Sequence, residues 1–300
     1  MTEKIQMNGS LHSHGCWTDH RNPNETARFP FDLETFARLC IEIGRDFQVI
    51  SEIKDHPKEP ARWHNERRYH DLMKTIRKSD NYEVERAGDL YNVYFKRENK
   101  RVVIIRGQEV SLANPVLKGE ESFDSHLKHV SAIGVERELK GGLSAEETLK
   151  IIREESGYAF PNHPFMVDAW SEEELLDFYE RKLISAIEFN SGLTFPACLD
   201  NVLGKRTPSK KSNKRVLALE DRIPVVANDD AHSEEDMKKG ASTSYNVVSG
   251  LPFIYSIFDA IARRDFSRQE KYTSFLSPIW HMLDIEESEK LSRQGKLIEY

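Results

Sequence analysis

The chain has 300 residues, 38% of them apolar and 31% charged, which suits one large α/β domain or two small ones with a buried core. No apolar run is long enough to cross a membrane, and a net charge of −7 supplies no overall field that would draw in nucleic acid, which leaves that partner open only through local patches. Three cysteines, Cys16, Cys40 and Cys198, stand far apart without a CxxC pair, so no disulfide framework is expected. The stretch Met1–Asn8 lacks the apolar core of a secretion signal, and the expectation is a cytoplasmic protein.

Along the chain, histidines and carboxylates recur at the ends of strand-like runs. Leu11-His12-Ser13-His14 comes first, followed by Asp19 and His20. Residues two apart on an extended strand point the same way, so His12 and His14 aim two imidazoles at one point. An isolated HxH reads equally as a pair of surface histidines. Asp32–Gly44 predicts a helix with Leu33, Phe36, Leu39, Cys40 and Ile43 on one face. A strand over Phe47–Ile53 leads through Lys54 into Asp55-His56. Pro57 to Lys100 is highly charged, and Arg62–Lys78 within it reads as a helix that either covers a site or is solvated. The strand Arg101–Ser111 carries Gly107-Gln108-Glu109. His126 and His129 come next, with His129 opening the strand to Val135. Ser144 and Glu147 form a capping-box signature before Leu149, Ile151 and Ile152.

The strand Tyr158–Asn162 runs into His163-Pro164, and Ser171 with Glu174 repeats the capping signature before Leu175, Leu176 and Phe178. Ile184–Asn190 is a strand bearing Glu188 and Asn190 near its end. Lys205–Arg215 holds six Lys or Arg in eleven residues, with Pro208 and serines, and reads as a mobile loop. The strand Ile223–Asn228 leads to Asp229-Asp230-Ala231-His232, Pro252–Arg263 reads as a helix, and Asp284–Gly295 as a polar helix.

Strands alternating with helices favour parallel β/α units. Four of the six ligand-like segments share one plan, an apolar strand and then a histidine or carboxylate at its C-terminal end, which in β/α barrels is the active-site face. Together they place up to nine ligand-type side chains on one rim, and metal ions would offset that concentration of charge. His129 breaks the plan because it precedes its strand. It reaches the rim if that strand runs antiparallel to its neighbour or the loop folds back.

These motifs resemble the polymerase and histidinol phosphatase (PHP) family of metal-dependent phosphoesterases. The resemblance rests on His12-x-His14 with Asp19, Asp55-His56, Gly107-x-Glu109, His129 before an apolar strand, His163-Pro164 and Asp230-x-His232, in the family's order. Asn162-His163-Pro164, Lys128–Gly134 and Ala186–Asn190 are most similar to the carbaryl-hydrolase-like branch. The resemblance implies an α/β fold, a distorted seven-stranded β/α barrel over residues 1–300, with a charged insertion at about 57–100 and a helical extension from about 252. It implies two or three divalent ions (Mn, Zn or Fe) on His12, His14, Asp19, His56, Glu109, His129, His163, Asp230 and His232. The implied reaction is hydrolysis of a small anionic phosphomonoester or phosphodiester, such as a nucleotide or sugar phosphate, by a metal-activated hydroxide. A carbamate or aryl ester hydrolase with the same site is the alternative enzyme. A non-catalytic, metal-stabilised domain that binds a partner is the alternative of another class. Neither the oligomeric state nor the substrate-binding residues are indicated.

The departures are specific. Thr18-Asp19-His20 stands where the family has Ser-Asp-Gly, and Lys54-Asp55-His56 where it has Thr-Asp-His. Phe165 follows His163-Pro164 where many of the phosphatases carry an arginine, and Asn228-Asp229 replaces Gly-Ser. His20, Lys54 and His126 are the candidates to supply a leaving-group proton. Each also has a plainer reading, as a solvated loop histidine, a structural ion pair and a surface histidine respectively. Asp55, Glu188 and Asn190 are candidates to orient ligand histidines, Glu188 and Asn190 reading equally as loop caps. Asp229 is expected to be exposed. Arg21, Arg28, Arg62 and Arg106 are the cations available for phosphate, and Trp17 either stacks on a substrate ring or packs in the core.

Overall fold

The computed structural model describes residues 5–14, 33–54, 76, 79–87, 90–113, 128–165, 170–190, 209–231, 237–238, 244–250 and 254–270. Its spine is three parallel strands. Strand β1 (Ile5–Ser10) pairs with β2 (Phe47–Lys54), and β2 pairs with β5 (Lys100–Ser111) over its whole length, from Phe47 opposite Val103 to Lys54 opposite Val110. The far edge of β5 is shared. Its first half carries the antiparallel hairpin β3 (Tyr82–Ala87) and β4 (Leu90–Phe95). Its second half pairs antiparallel with β6 (His129–Ile133), which in turn pairs antiparallel with β7 (Tyr158–Pro161). On the other edge β1 pairs antiparallel with β10 (Ser244–Gly250), and β10 with β11 (Phe266–Glu270). Strands β8 (Ile187–Asn190) and β9 (Val225–Asn228) form a separate parallel pair.

The expected seven-stranded closed barrel is not found among the described residues; the architecture is mixed α/β with a nine-stranded and a two-stranded sheet. The β8–β9 pair is fastened to the larger sheet by single bonds rather than ladders. The Ser185 amide donates to the Ala159 carbonyl on one side, and the Asp230 amide to His12 and the His14 amide to Ala231 on the other. The Asn246 side chain reinforces this seam, accepting from the Ala227 amide and donating to the Ala227 carbonyl.

Four of the five helices among the described residues follow the sequence patterns. Helix α1 (Leu33–Glu42) buries Leu33, Phe36, Ala37 and Cys40, one stripe at helical spacing, against Ile50, Val102 and Ile104 on the outer face of β2 and β5. Helix α2 (Ala145–Glu154) starts with the expected reciprocal box between Ser144 and Glu147. Helix α3 (Glu172–Glu180) starts at Ser171, whose hydroxyl accepts from the Glu174 amide. The basic run expected to be a loop is, from Ser209 to Ala218, helix α4. Its apolar Val216 joins the core of α2, α3 and β6–β9, which outweighs the pattern of charges. Helix α5 (Ile254–Ala262) packs Ile257, Phe258 and Ile261 with Phe47, Val49, Val103, Ile105 and Phe160. No helix of the described residues is long and apolar enough to cross a membrane.

Candidate metal centre

Strand direction decides which side chains meet. Strands β1, β2, β5 and β7 run the same way, so the residues at or just past their C-terminal ends share one face of the sheet. His12 and His14 follow β1, Glu109 lies near the end of β5, and His163 follows β7. Because β6 is antiparallel to both neighbours, its first residue, His129, lies on that same face, which satisfies the condition set by the sequence.

Glu109 is the centre of the group. Its Oε1 lies 3.0 Å from His129 Nδ1, 3.5 Å from His12 Nε2 and 3.5 Å from His163 Nε2, while Oε2 lies 3.0 Å from His14 Nε2. Asp230 Oδ1 lies 3.3 Å from Nε2 of both His12 and His14. His12, His14, Glu109, His163 and Asp230 are all buried, and His129 nearly so. Two triads, His12-His14-Glu109 and Glu109-His129-His163, each bring their ligand atoms within 4.8 Å of one another, and Glu109 belongs to both.

The imidazoles are oriented from behind. His12 Nδ1 donates to Glu188 Oε1 at 2.8 Å and His14 Nδ1 to the Ser51 carbonyl at 2.9 Å, which turns both Nε2 atoms inward. Glu188 Oε2 accepts from the His163 amide at 2.8 Å and from Asn190 Nδ2 at 3.1 Å, and Asn228 Nδ2 donates to Oε1 at 3.0 Å. Asn190 Nδ2 also reaches Asp230 Oδ2 at 3.2 Å. Asn162, to which the sequence reading assigns no role, donates to Glu109 Oε1 at 2.8 Å. His163 and Asp230 have φ of 31° and 49°, a left-handed conformation that costs non-glycine residues energy and gathers at functional sites.

The electrostatics call for positive charge. Burial works to discharge His12, but Glu188, Asp230 and Glu109 outweigh it and hold its pKa well above the ordinary value. Burial opposes charge on His14 too, yet hydrogen bonds to Asp230 and Glu109 lift it to about 9. Burial disfavours the Glu109 carboxylate, and His129 and His12 pull it well below the carboxylate range regardless. Without a cation, these carboxylates draw protons onto the imidazoles. Among the described residues, His163 Nδ1 is buried without a hydrogen-bond partner. A donor set of nitrogen and oxygen atoms in this geometry could hold metal ions, and Glu109 belongs to both candidate groups.

Of the other expected site residues, Asp19, His20, Asp55, His56, His126 and His232 lie outside the described residues, as do Trp17, Arg21, Arg28 and Arg62. Of Lys54 only the backbone is described, at the end of β2 opposite Val110. Two expectations are corrected. Asp229 is buried, 3% exposed, because Arg45 neutralises it at 2.8 Å. Arg106 is buried as well, bound to Glu52 at 3.2 Å and to the Glu136 carbonyl, so it is committed to the scaffold rather than offered to phosphate.

With this geometry in hand, comparison with known proteins bears on the fold. No family model matches the chain, and no curated protein matches it in sequence. The fold is similar to that of PsfC from Pseudomonas syringae PB-5123. That likeness has a TM-score of 0.52 at 13% identity and spans 95% of this chain and 99% of PsfC. The novel lesion-specific endonuclease PfuEndoQ from Pyrococcus furiosus is also similar, with a TM-score of 0.48 at 15% identity, over 88% of this chain and 57% of that one.

Proposed function

We propose that the chain is a metal-dependent hydrolase, a phosphoesterase acting on a small phosphomonoester or phosphodiester. The observation that carries this reading is Glu109, one buried carboxylate shared by two histidine triads. His12, His14, Glu109, His129, His163 and Asp230 would hold the ions, joined by Asp19, His56 and His232. Bound there, divalent ions would act as Lewis acids and lower the pKa of water toward neutrality. The rest of the work belongs to the chain's own residues. Glu188 and the Ser51 carbonyl keep the His12 and His14 protons on Nδ1, leaving each Nε2 lone pair facing the centre. Asn162 fixes the Glu109 carboxylate. The leaving-group proton is assigned to His20, Lys54 or His126.

One observation favours a second reading. The residue after His163-Pro164 is Phe165, fully buried with the Arg215 guanidinium 4.0 Å over its ring, so position 165 itself offers phosphate no cationic side chain. That suits a carbamate or aryl ester. Protein loaded with Mn²⁺ or Zn²⁺ is assayed on phosphomonoesters, phosphodiesters, aryl carbamates and aryl esters, with Glu109→Gln as the blank. Phosphate ester turnover absent from the blank supports the first reading. Turnover of carbamates or esters alone replaces it with the second. Tight metal binding without any turnover points to a metal-stabilised binding domain.

A further inference from the structure

One buried ion pair stands directly behind the centre without being part of it. Helix α1 ends at Ile43-Gly44-Arg45, where the Gly44 amide donates to Ile41 and the Arg45 amide to Cys40, with Gly44 at φ 76°. This glycine-terminated end fixes the backbone at Arg45 and sends the chain into β2. Arg45 is 2% exposed. Its Nη2 donates to Asp229 Oδ2 at 2.8 Å and to the Ser244 carbonyl at 3.1 Å, and its Cζ lies 5.9 Å from the Tyr245 ring centre.

Asp229 ties together the two segments that carry the ligands nearest β1. Ser10 Oγ lies 3.1 Å from its Oδ1 and 3.0 Å from the His12 carbonyl, so the single hydroxyl proton is shared between these two acceptors and bridges the two segments. Its carboxylate also accepts from the Ala231 amide, so it closes a turn around Asp230, the residue held at φ 49°. That turn is laced to the histidines by the Asp230 amide on the His12 carbonyl and the His14 amide on the Ala231 carbonyl. A non-glycine residue holds a left-handed conformation only where its surroundings over-determine it, and the Asp229 carboxylate is one of the groups that does so.

Stability is a weak reason for such a pair. A buried ion pair rarely outperforms an apolar one of equal volume, and Arg45 Nε and Nη1 are buried here without hydrogen-bond partners among the described residues. We infer that Arg45 and Asp229 are positioning residues for the metal centre: the guanidinium holds the Asp229 carboxylate where it clamps the Asp230 turn onto the His12–His14 segment. The inference rests on the reading of this site as a metal centre. It assigns the pair no contact with metal or substrate.

The test measures Zn²⁺ stoichiometry by elemental analysis and affinity by chelator competition, with thermal melts of the metal-free forms. The proteins are the full chain, Arg45→Met, Arg45→Lys, Asp229→Asn and, as a stability control, Leu149→Ala, whose side chain is fully buried on α2 and far in sequence from the clamp. Arg45→Met and Asp229→Asn are expected to weaken Zn²⁺ binding by about ten-fold or more, the scale of losses behind a metal's direct ligands. Arg45→Lys is expected to recover part of that affinity, and Leu149→Ala to melt earlier with affinity unchanged. Should Arg45→Met fail to fold, Asp229→Asn, of equal size, carries the comparison. Wild-type affinity in both clamp variants overturns the inference and leaves the metal centre standing. An equal loss in Leu149→Ala overturns it too, by making the effect one of general stability. A full chain that binds no Zn²⁺ removes the metal centre itself.

Discussion

Glu188 shows how far single residues explain the centre. All four of its partners among the described residues, His12 Nδ1, the His163 amide, Asn190 Nδ2 and Asn228 Nδ2, are donors. A carboxylate satisfies them all, whereas an amide of the same shape would turn its own N–H groups toward donors. Glu188→Gln is therefore expected to weaken metal binding by about 10–100-fold with the fold retained, measured by chelator competition alongside circular dichroism. Unchanged affinity would show that His12 needs no such orientation. Titration supplies a second residue-scale prediction. In metal-free protein the folded state holds the His14 pKa at about 9 against an ordinary 6.5. A raised folded value stabilises the fold fully below pH 6.5, and that contribution is lost as pH climbs through 9. Chelated protein is expected to melt earlier at pH 9 than at pH 6. Metal affinity runs the other way, rising with pH as ligation releases those protons. The clustering of His12, His14, Glu109, His129 and His163 was legible in the sequence because these imidazoles and this carboxylate recur at strand ends. Asp229 was not, since its burial depends on Arg45, 184 residues away in the chain.

At the scale of elements, Gly107 explains how β2 and β5 approach beside the centre. A Cβ at Gly107 would sit 2.6 Å from Val49 Cγ1, inside contact distance. Gly107→Ala is expected to cost about 1–3 kcal/mol through overpacking, read as a lower denaturation midpoint, and to reduce metal occupancy by displacing Glu109 two residues on. A variant as stable as the parent would mean the strands have slack. Helices α1, α2, α3 and α5 were readable from their apolar spacing and caps. So were β2 and β5 to β9, to within a few residues. Strands β1, β3, β4, β10 and β11 were missed. Ser244–Gly250, for instance, alternates buried and half-buried residues only because β1 and β11 flank it, and its sequence is polar at Ser244, Asn246 and Ser249. Helix α4 was misread for the complementary reason: its basic composition outvoted Val216 on the helix and Leu219 just past its end, which pack on the core. The same helix anchors the end of β8, where Asn213 exchanges two hydrogen bonds with the Asn190 backbone.

For the whole molecule, mixed strand directions converge on one chemical face. Alternating elements made parallel β/α units the expectation and the family resemblance a distorted seven-stranded barrel, but β6 is reversed, the β3–β4 hairpin occupies half an edge of β5, and β8–β9 stands apart, stitched on by Asn246, by Asn228 accepting from the Leu11 amide, and by a few backbone bonds. Long-range pairing of this kind is decided by tertiary packing, which local sequence pattern does not encode. The reversal of β6 nonetheless has a clear consequence, because it brings His129 to the rim beside Glu109. The central claim is that this rim holds metal ions around one shared carboxylate. An anomalous-scattering map of crystals of the purified protein, recorded at the absorption edge of the metal found by elemental analysis, tests it directly. The account predicts at least two peaks, one within ligand distance of His12 and His14 and the other of His129 and His163, with Glu109 between them. A map with no peak at Glu109, or with a single ion elsewhere on the chain, would contradict it.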